Sequence, residues 1–253
     1  MRGLSGAVIV DNGNGTVTKS GGPRGKTREQ GQWIFDHGNG VFPFVTEILE
    51  DGYIMEKLEH IEYYDVAPST TLMMLQNEVW IQPAVTPPTT RTMRLLKSKM
   101  QQIIDTHLLS IISRVVEDRI LEEAVKAAVG SFQMRHALSH GDPTAENVMY
   151  RKGDGNILID PIPATETVPD SPAVDIGKML QSAYSWETAK YNTGIVAYRH
   201  SDIAGIITNE QLLVVGESWA VVHVMRAIPY VSAQMPDAMD RVLEVLENAI
   251  ERN

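Results

Sequence analysis

The sequence predicts an α+β protein in two lobes: a small, sheet-rich lobe over residues 1–58 and a larger, mainly helical lobe over residues 59–253. Three observations carry this. Up to Leu58, β-type runs alternate with turn signals around one short helix. From Arg91 to Val129, apolar residues recur at helical spacing. No internal repeat or low-complexity tract interrupts either pattern, and 253 residues with 43% hydrophobic content suffice for one sizeable core or two unequal ones.

Taken in order, residues 6–19 (GAVIVDNGNGTVTK) read as a hairpin, because Asn-Gly between β-branched runs is a strong local turn signal. KTREQGQWIFDHG reads as a short helix, with Thr27 as N-cap, Gln30 as its capping-box partner and Gly38 closing it. FVTEILEDGYIMEKL gives two further strands, 44–50 and 53–58, meeting at EDG. Met93, Leu96, Met100, Ile103, Ile104, Leu108, Ile111, Ile112 and Val115 then mark one long helix, or two joined near Glu117. NVMY and ILID are short strands around the polar turn RKGDGN. Helices follow at 174–184, 209–227 and 236–251, the last with Pro236 in its first turn.

Composition excludes several functions. A formal net charge of −10 and a pI near 5.2 give no general attraction to nucleic acid or to an anionic membrane surface, so neither is expected as a partner. With no cysteine, the chain has no disulfide, thiolate nucleophile or Cys-ligated zinc. The start, MRGLSGAVIV, has too short an apolar run for a secretion signal or a membrane span, so a soluble cytoplasmic protein is expected.

The chemistry concentrates in LSHGDPTAENVMY, residues 138–150, and in ILIDP, residues 157–161. Asp142 and Asn147 are five apart in a loop. Asp160 ends a strand that would pair with the strand holding Val148 and Met149, which returns Asp160 beside Asn147. Carboxylate and amide oxygens at one end of a hairpin are hard ligands suited to Mg²⁺. Asp142, on the same loop, is suited to orient an attacking hydroxyl and accept its proton.

HGDPTAEN followed by ILIDP resembles the catalytic loop and metal-binding segment of the aminoglycoside phosphotransferase and choline kinase-like families, the small-molecule branch of the protein kinase-like fold. PAVDIGKML, residues 172–180, fits that branch as well, and the match spans most of residues 4–185. The resemblance implies an ATP- and Mg²⁺-dependent phosphotransferase that moves a γ-phosphoryl group to a hydroxyl of a sugar, amino alcohol or similar metabolite. It implies Lys19 on the α and β phosphates and Glu29 as its helix partner. Ser5 and Gly6 fall in the phosphate-covering loop. The backbone carbonyl of Glu56 and the N–H of Leu58 form the adenine hinge. Asp142 becomes the catalytic base, His140 orients its loop, Asn147 and Asp160 hold Mg²⁺, and Asp175 is structural. Only MRGL precedes Ser5-Gly6, so the family's first strand is expected to be missing or short.

Other features have plainer readings. The basic run Arg91, Arg94, Lys97 and Lys99 reads as a solvated helix face, and Trp186 and Trp219 as core. The rival of a different class is a catalytically idle kinase-like module that binds nucleotide or protein. A protein kinase fits less well, because IDP replaces Asp-Phe-Gly and no Ala-Pro-Glu-like segment follows.

Overall fold

The computed structural model describes residues 6–22, 25–193 and 196–252. The chain divides into two compact units.

The first unit runs to Glu62 and also takes in Asn147–Pro163. Its main sheet holds β1 (Ala7–Asp11), β2 (Thr16–Gly21), β3 (Val45–Ile48) and β4 (Gly52–Glu56) in the antiparallel order β1-β2-β4-β3. The β1–β2 turn falls on the predicted Asn-Gly segment. Gly13 and Gly15 have φ of 75° and 82°, and Asp11 and Asn14 side chains accept the Gly13 and Thr16 N–H groups. Helix α1 (Lys26–His37) covers one face of this sheet and buries Trp33 and Ile34. A Cβ on Gly31 would lie 2.5 Å from the Tyr53 ring, so only glycine lets α1 approach β4 this closely.

The start of α1 differs from the expectation. Its N-cap is Gly25, at φ 78°, and Thr27 lies inside the helix with its hydroxyl donating to the Gly21 carbonyl at 2.5 Å. A tertiary hydrogen bond has taken the group that local pattern assigned to capping.

A second, three-stranded sheet joins β5 (Glu59–His60), β6 (Val148–Arg151) and β7 (Gly155–Leu158). The β6–β7 hairpin belongs to the first unit, although the sequence boundary left it in the helical lobe, because β5 pairs with β6 at Glu59↔Tyr150 and His60↔Met149. Arg151 strengthens the attachment. Its guanidinium donates to both carboxylate oxygens of Glu56 and to the carbonyls of Gly40 and Phe42, and it lies 4.2 Å over the Phe44 ring.

The second unit, Tyr63–Glu146 with Ala164–Asn253, is helical. It contains α2 (Pro68–Met74), α3 (Thr90–Ile103), α4 (Arg114–Gln133), α5 (Pro172–Ala183), α6 (Trp186–Tyr191), α7 (His200–Ala204), α8 (Glu210–Gln234) and α9 (Met239–Glu251). The long periodic stretch is two helices. They part after a π-helical turn at Ile104–Leu108, and α4 starts at Ser113, whose hydroxyl accepts the Val116 N–H. The break precedes Glu117, which instead sits buried in the first turn of α4 on Arg114 and Gln101. The basic run lies on the exposed face of α3, as read from sequence.

Helix α8 is the axis of this unit. It is long and apolar enough by composition to cross a membrane, yet two thirds of its most apolar window is buried within the protein, as in a core helix. Trp219 is fully buried and its indole N–H donates to Ser131 of α4 at 2.8 Å. On the other side α5 meets α8 through glycines: a Cβ on Gly177 would stand 2.4 Å from Trp219 Cβ and 2.9 Å from its backbone, and one on Gly216 would stand 2.3 Å from Ile176.

This contact makes a test. Gly177→Ala should destabilise the protein by about 1–3 kcal/mol in urea unfolding, because the added methyl meets backbone that cannot move aside. A loss below about 0.5 kcal/mol would mean that the helices do not touch there.

Candidate functional site

In the first unit, Lys19 points inward from β2 and is almost wholly buried. Its ammonium bonds Asp160 at 2.5 Å and reaches the Gln30 amide oxygen at 3.3 Å. The helix side chain beside the lysine is therefore Gln30. Glu29, the expected partner, is exposed on the first turn of α1, where its charge favours the helix dipole. Tyr53, opposite Lys19 in the sheet register, is fully buried; burial, with the Asp160 charge nearby, pushes its phenol well above the usual range.

Asp160 reaches this position through the β6–β7 hairpin. The Ile159 N–H donates to the Asn147 carbonyl at 2.9 Å, which sets Asp160 next to Asn147 in the chain return the sequence predicted. Asp160 lies outside the strand at φ 57°, a left-handed conformation uncommon for a residue with a side chain and enriched at functional positions. At the other end of the sheet, Glu56 gives its side chain to Arg151 and its N–H to the Phe44 carbonyl, and Leu58 is buried. Gly6, at φ 78°, is exposed just before β1, whereas Ser5 lies outside the described residues.

In the second unit, residues 139–141 are held by two buried aspartates. Asp175, in the first turn of α5, accepts the N–H groups of His140 (3.1 Å) and Gly141 (2.7 Å) and the Trp80 indole N–H (2.8 Å). Asp170 accepts the Ser139 N–H and hydroxyl and the N–H groups of Val85 and Thr86. Gly141 turns the loop at φ 78°, and the Asp142 N–H donates to His140 Nδ1 at 3.2 Å, so His140 holds the loop's shape as expected. Burial raises the Asp175 carboxyl to about 7 against the pull of its three donors.

Asp142, half-buried, bonds Lys178 at 2.9 Å. Burial would raise its pKa, but Lys178 above all, with His140 and Lys190, holds it below the usual carboxylate range. Next along the loop, Glu146 receives Lys190 on both oxygens (2.8 and 2.6 Å) and the Tyr191 hydroxyl at 2.5 Å. Lys178, Lys190 and Tyr191 were not singled out in the sequence. Lys178 carried a signal, standing three residues after Asp175 and hence on the same helical face. Lys190 and Tyr191 carried none.

No protein-family model and no curated protein matches this sequence. The structure does have relatives. It is similar to a choline kinase from Streptococcus pneumoniae, with a TM-score of 0.61 and 12% identity over 100% of this chain and 92% of that one. It is similar to aminoglycoside 2'-phosphotransferase-IIIa, solved in complex with GDP, with a TM-score of 0.59 and 13% identity over 98% and 90% of the two chains. An ethanolamine kinase from Plasmodium vivax matches with a TM-score of 0.58 and 12% identity over 96% and 78%. The chain thus has the protein kinase-like fold, as the motif resemblance implied.

Asp175 gives this site a pH signature. A carboxyl raised from its ordinary value to about 7 takes up a proton on folding, so its contribution to stability is full below about pH 4 and lost as pH rises through about 7. The unfolding midpoint of the parent, measured against the non-titrating Asp175→Asn protein, should fall between about pH 5 and pH 8. A difference independent of pH would mean that Asp175 stays ionised throughout.

Proposed function

We propose that this protein is an ATP- and Mg²⁺-dependent phosphotransferase that moves the γ-phosphoryl group to a hydroxyl of a small metabolite. The observation that carries the proposal is the buried Lys19 ammonium bonded to Asp160 across 141 residues of sequence. Burying a lysine ammonium costs several kcal/mol before its attraction to a carboxylate offsets it, and a polyphosphate site is a physical reason to keep it there. Lys19 would bind phosphate oxygens there.

Asn147 and Asp160 fit a magnesium ion. Both residues stand at one end of the β6–β7 hairpin, brought together by the Ile159 N–H on the Asn147 carbonyl, and Asp160 is about one third exposed, so it can offer an oxygen while retaining Lys19. Two protein ligands suit an ion that takes its remaining ligands from phosphate and water. When bound, the ion neutralises charge on the phosphates. Asp142 would accept the hydrogen bond of the acceptor hydroxyl. Lys178 keeps it ionised at neutral pH, which suits orientation of the nucleophile, the main demand of a loose phosphoryl-transfer transition state. His140, Asp170 and Asp175 act one step back, by fixing the loop.

A second reading, an idle nucleotide-binding module, draws support from the amide of Gln30 standing where a carboxylate partner for Lys19 was expected. Two variants separate the readings. Asp160→Ala should lose most of the rise in melting temperature that Mg·ATP gives the parent; an undiminished rise would remove Asp160 from the site. Asp142→Asn should keep Mg·ATP affinity within a few-fold and lose roughly 10²–10⁴ in transfer rate to an accepted hydroxyl compound. If the parent binds Mg·ATP but consumes none with any hydroxylated compound, the module reading replaces the kinase.

A further inference from the structure

Arg226 stands out among the charged groups of the second unit. It lies on α8, partly buried, and among the described residues its guanidinium has no hydrogen bond and no ion pair. Burial costs enough to lower its pKa, opposed only by the Asp142 charge, so Asp142 lies within its electrostatic reach. Five N–H donors in a planar fork, partly buried and with no acceptor among the described residues, stand available to an incoming anion.

The helix crossing sets where this group stands. His223 Nε2–H donates to the Val174 carbonyl at 3.0 Å and ties α8 to α5 at that point. One turn beyond Val174 on α5 is Lys178, bonded to Asp142 at 2.9 Å. Along α8 the partners on α5 step back from Ile176 and Gly177, at Gly216 and Trp219, to Val174 at His223, so Arg226, three residues past His223, stands toward the start of α5, where Asp175 holds residues 140–141. His223 itself stays neutral, because burial and the nearby Lys178 and Arg226 charges hold it well below the usual histidine range. Asp142 thus shares its surroundings with two cations from two helices, of which Lys178 alone is paired.

The remaining charges leave Arg226 in surplus. Asp142 is matched by Lys178, and Glu146 by Lys190 with a further donor from Tyr191. Glu187, buried beside this group and bonded to the Ser182 hydroxyl, is raised to about 7 by burial and by Glu146, so near neutral pH it carries only part of a negative charge. An incoming ammonium would find both carboxylates already engaged and a bare guanidinium opposite. A carboxylate or phosphate would find a fork of donors matched to its oxygens.

We propose that Arg226 binds an anionic group carried by the acceptor, so that the substrate is a hydroxylated carboxylate or phosphate ester rather than an amine or a neutral sugar. This rests on the phosphotransferase reading for the reaction, though not for the binding.

The test uses two matched series: glycerate, glycerol 3-phosphate, glycerol and 3-amino-1,2-propanediol; then gluconate, glucose 6-phosphate, glucose and glucosamine. Binding by calorimetry and acceptor-dependent ATP consumption are measured for the parent, Arg226→Gln and Arg226→Lys. At least one anionic compound should bind and be turned over with kcat/KM at least tenfold above its neutral and cationic counterparts, and the carboxylate and phosphate arms identify which anion. Arg226→Gln should raise its Kd and KM at least tenfold, with kcat changed only a few-fold, and Arg226→Lys should recover part of the loss.

Arg226→Gln should also melt no lower than the parent, because it removes an unpaired, partly buried charge. Strong destabilisation would assign Arg226 a structural role and overturn the proposal. So would preference for a neutral or cationic acceptor, or absence of Arg226-dependent binding by all four anions. An equal fall in kcat on every acceptor with KM unchanged would assign Arg226 to the transferred phosphoryl group instead, again overturning it. Arg226-dependent anion binding without ATP consumption would sink the phosphotransferase reading and leave the anion site standing.

Discussion

The second unit depends on one arrangement: two buried aspartates that gather the backbone donors of residues 139–141. A loop cannot satisfy its own N–H groups as a helix or sheet does, and buried donors without acceptors cost about 1–3 kcal/mol each. Asp170 and Asp175 supply those acceptors from the segment leading into α5 and from its first turn. Each also reaches a third element, Asp170 the backbone of Val85 and Thr86, Asp175 the indole of Trp80. The loop is therefore fixed to the helical core on two sides. Asp142, at its end, has its position set before any ligand arrives.

Burial pushes both carboxylates of this region upward, yet they end on opposite sides of the usual range, and the difference lies in their partners. Asp175 meets only neutral donors and is raised; Asp142 meets a lysine and is lowered. One is suited to hold backbone and the other to present negative charge to a hydroxyl. The first unit uses the same principle with Lys19, whose charge is balanced by Asp160 from a hairpin remote in sequence.

What the sequence revealed followed the range of the interactions involved. The β1–β2 hairpin was legible because Asn-Gly sets its turn locally, and the β6–β7 return because alternation and a polar turn lie within a dozen residues. The motif holding Asp142, Asn147 and Asp160 was legible as a spacing. The start of α1 was misread because the Gly21 carbonyl competes for the Thr27 hydroxyl. The choice of Gln30 over Glu29 turns on a helical rotation fixed by the contact of Gly31 with Tyr53. Asp170 and Arg226 gave no signal, since their settings are made by segments dozens of residues away in the chain.

The glycine contact between α5 and α8 has a bearing on how this scaffold can diversify. Where two backbones touch with no side chain between them, their separation is not tuned by swapping larger and smaller residues. The crossing acts as a fixed datum, and positions one turn away on either helix can change identity without shifting it. Charge beside residues 139–142 can thus be rewritten by single substitutions while the loop's mounting stays put. Descendants of such a chain would change the charge presented beside that loop with little penalty in folding.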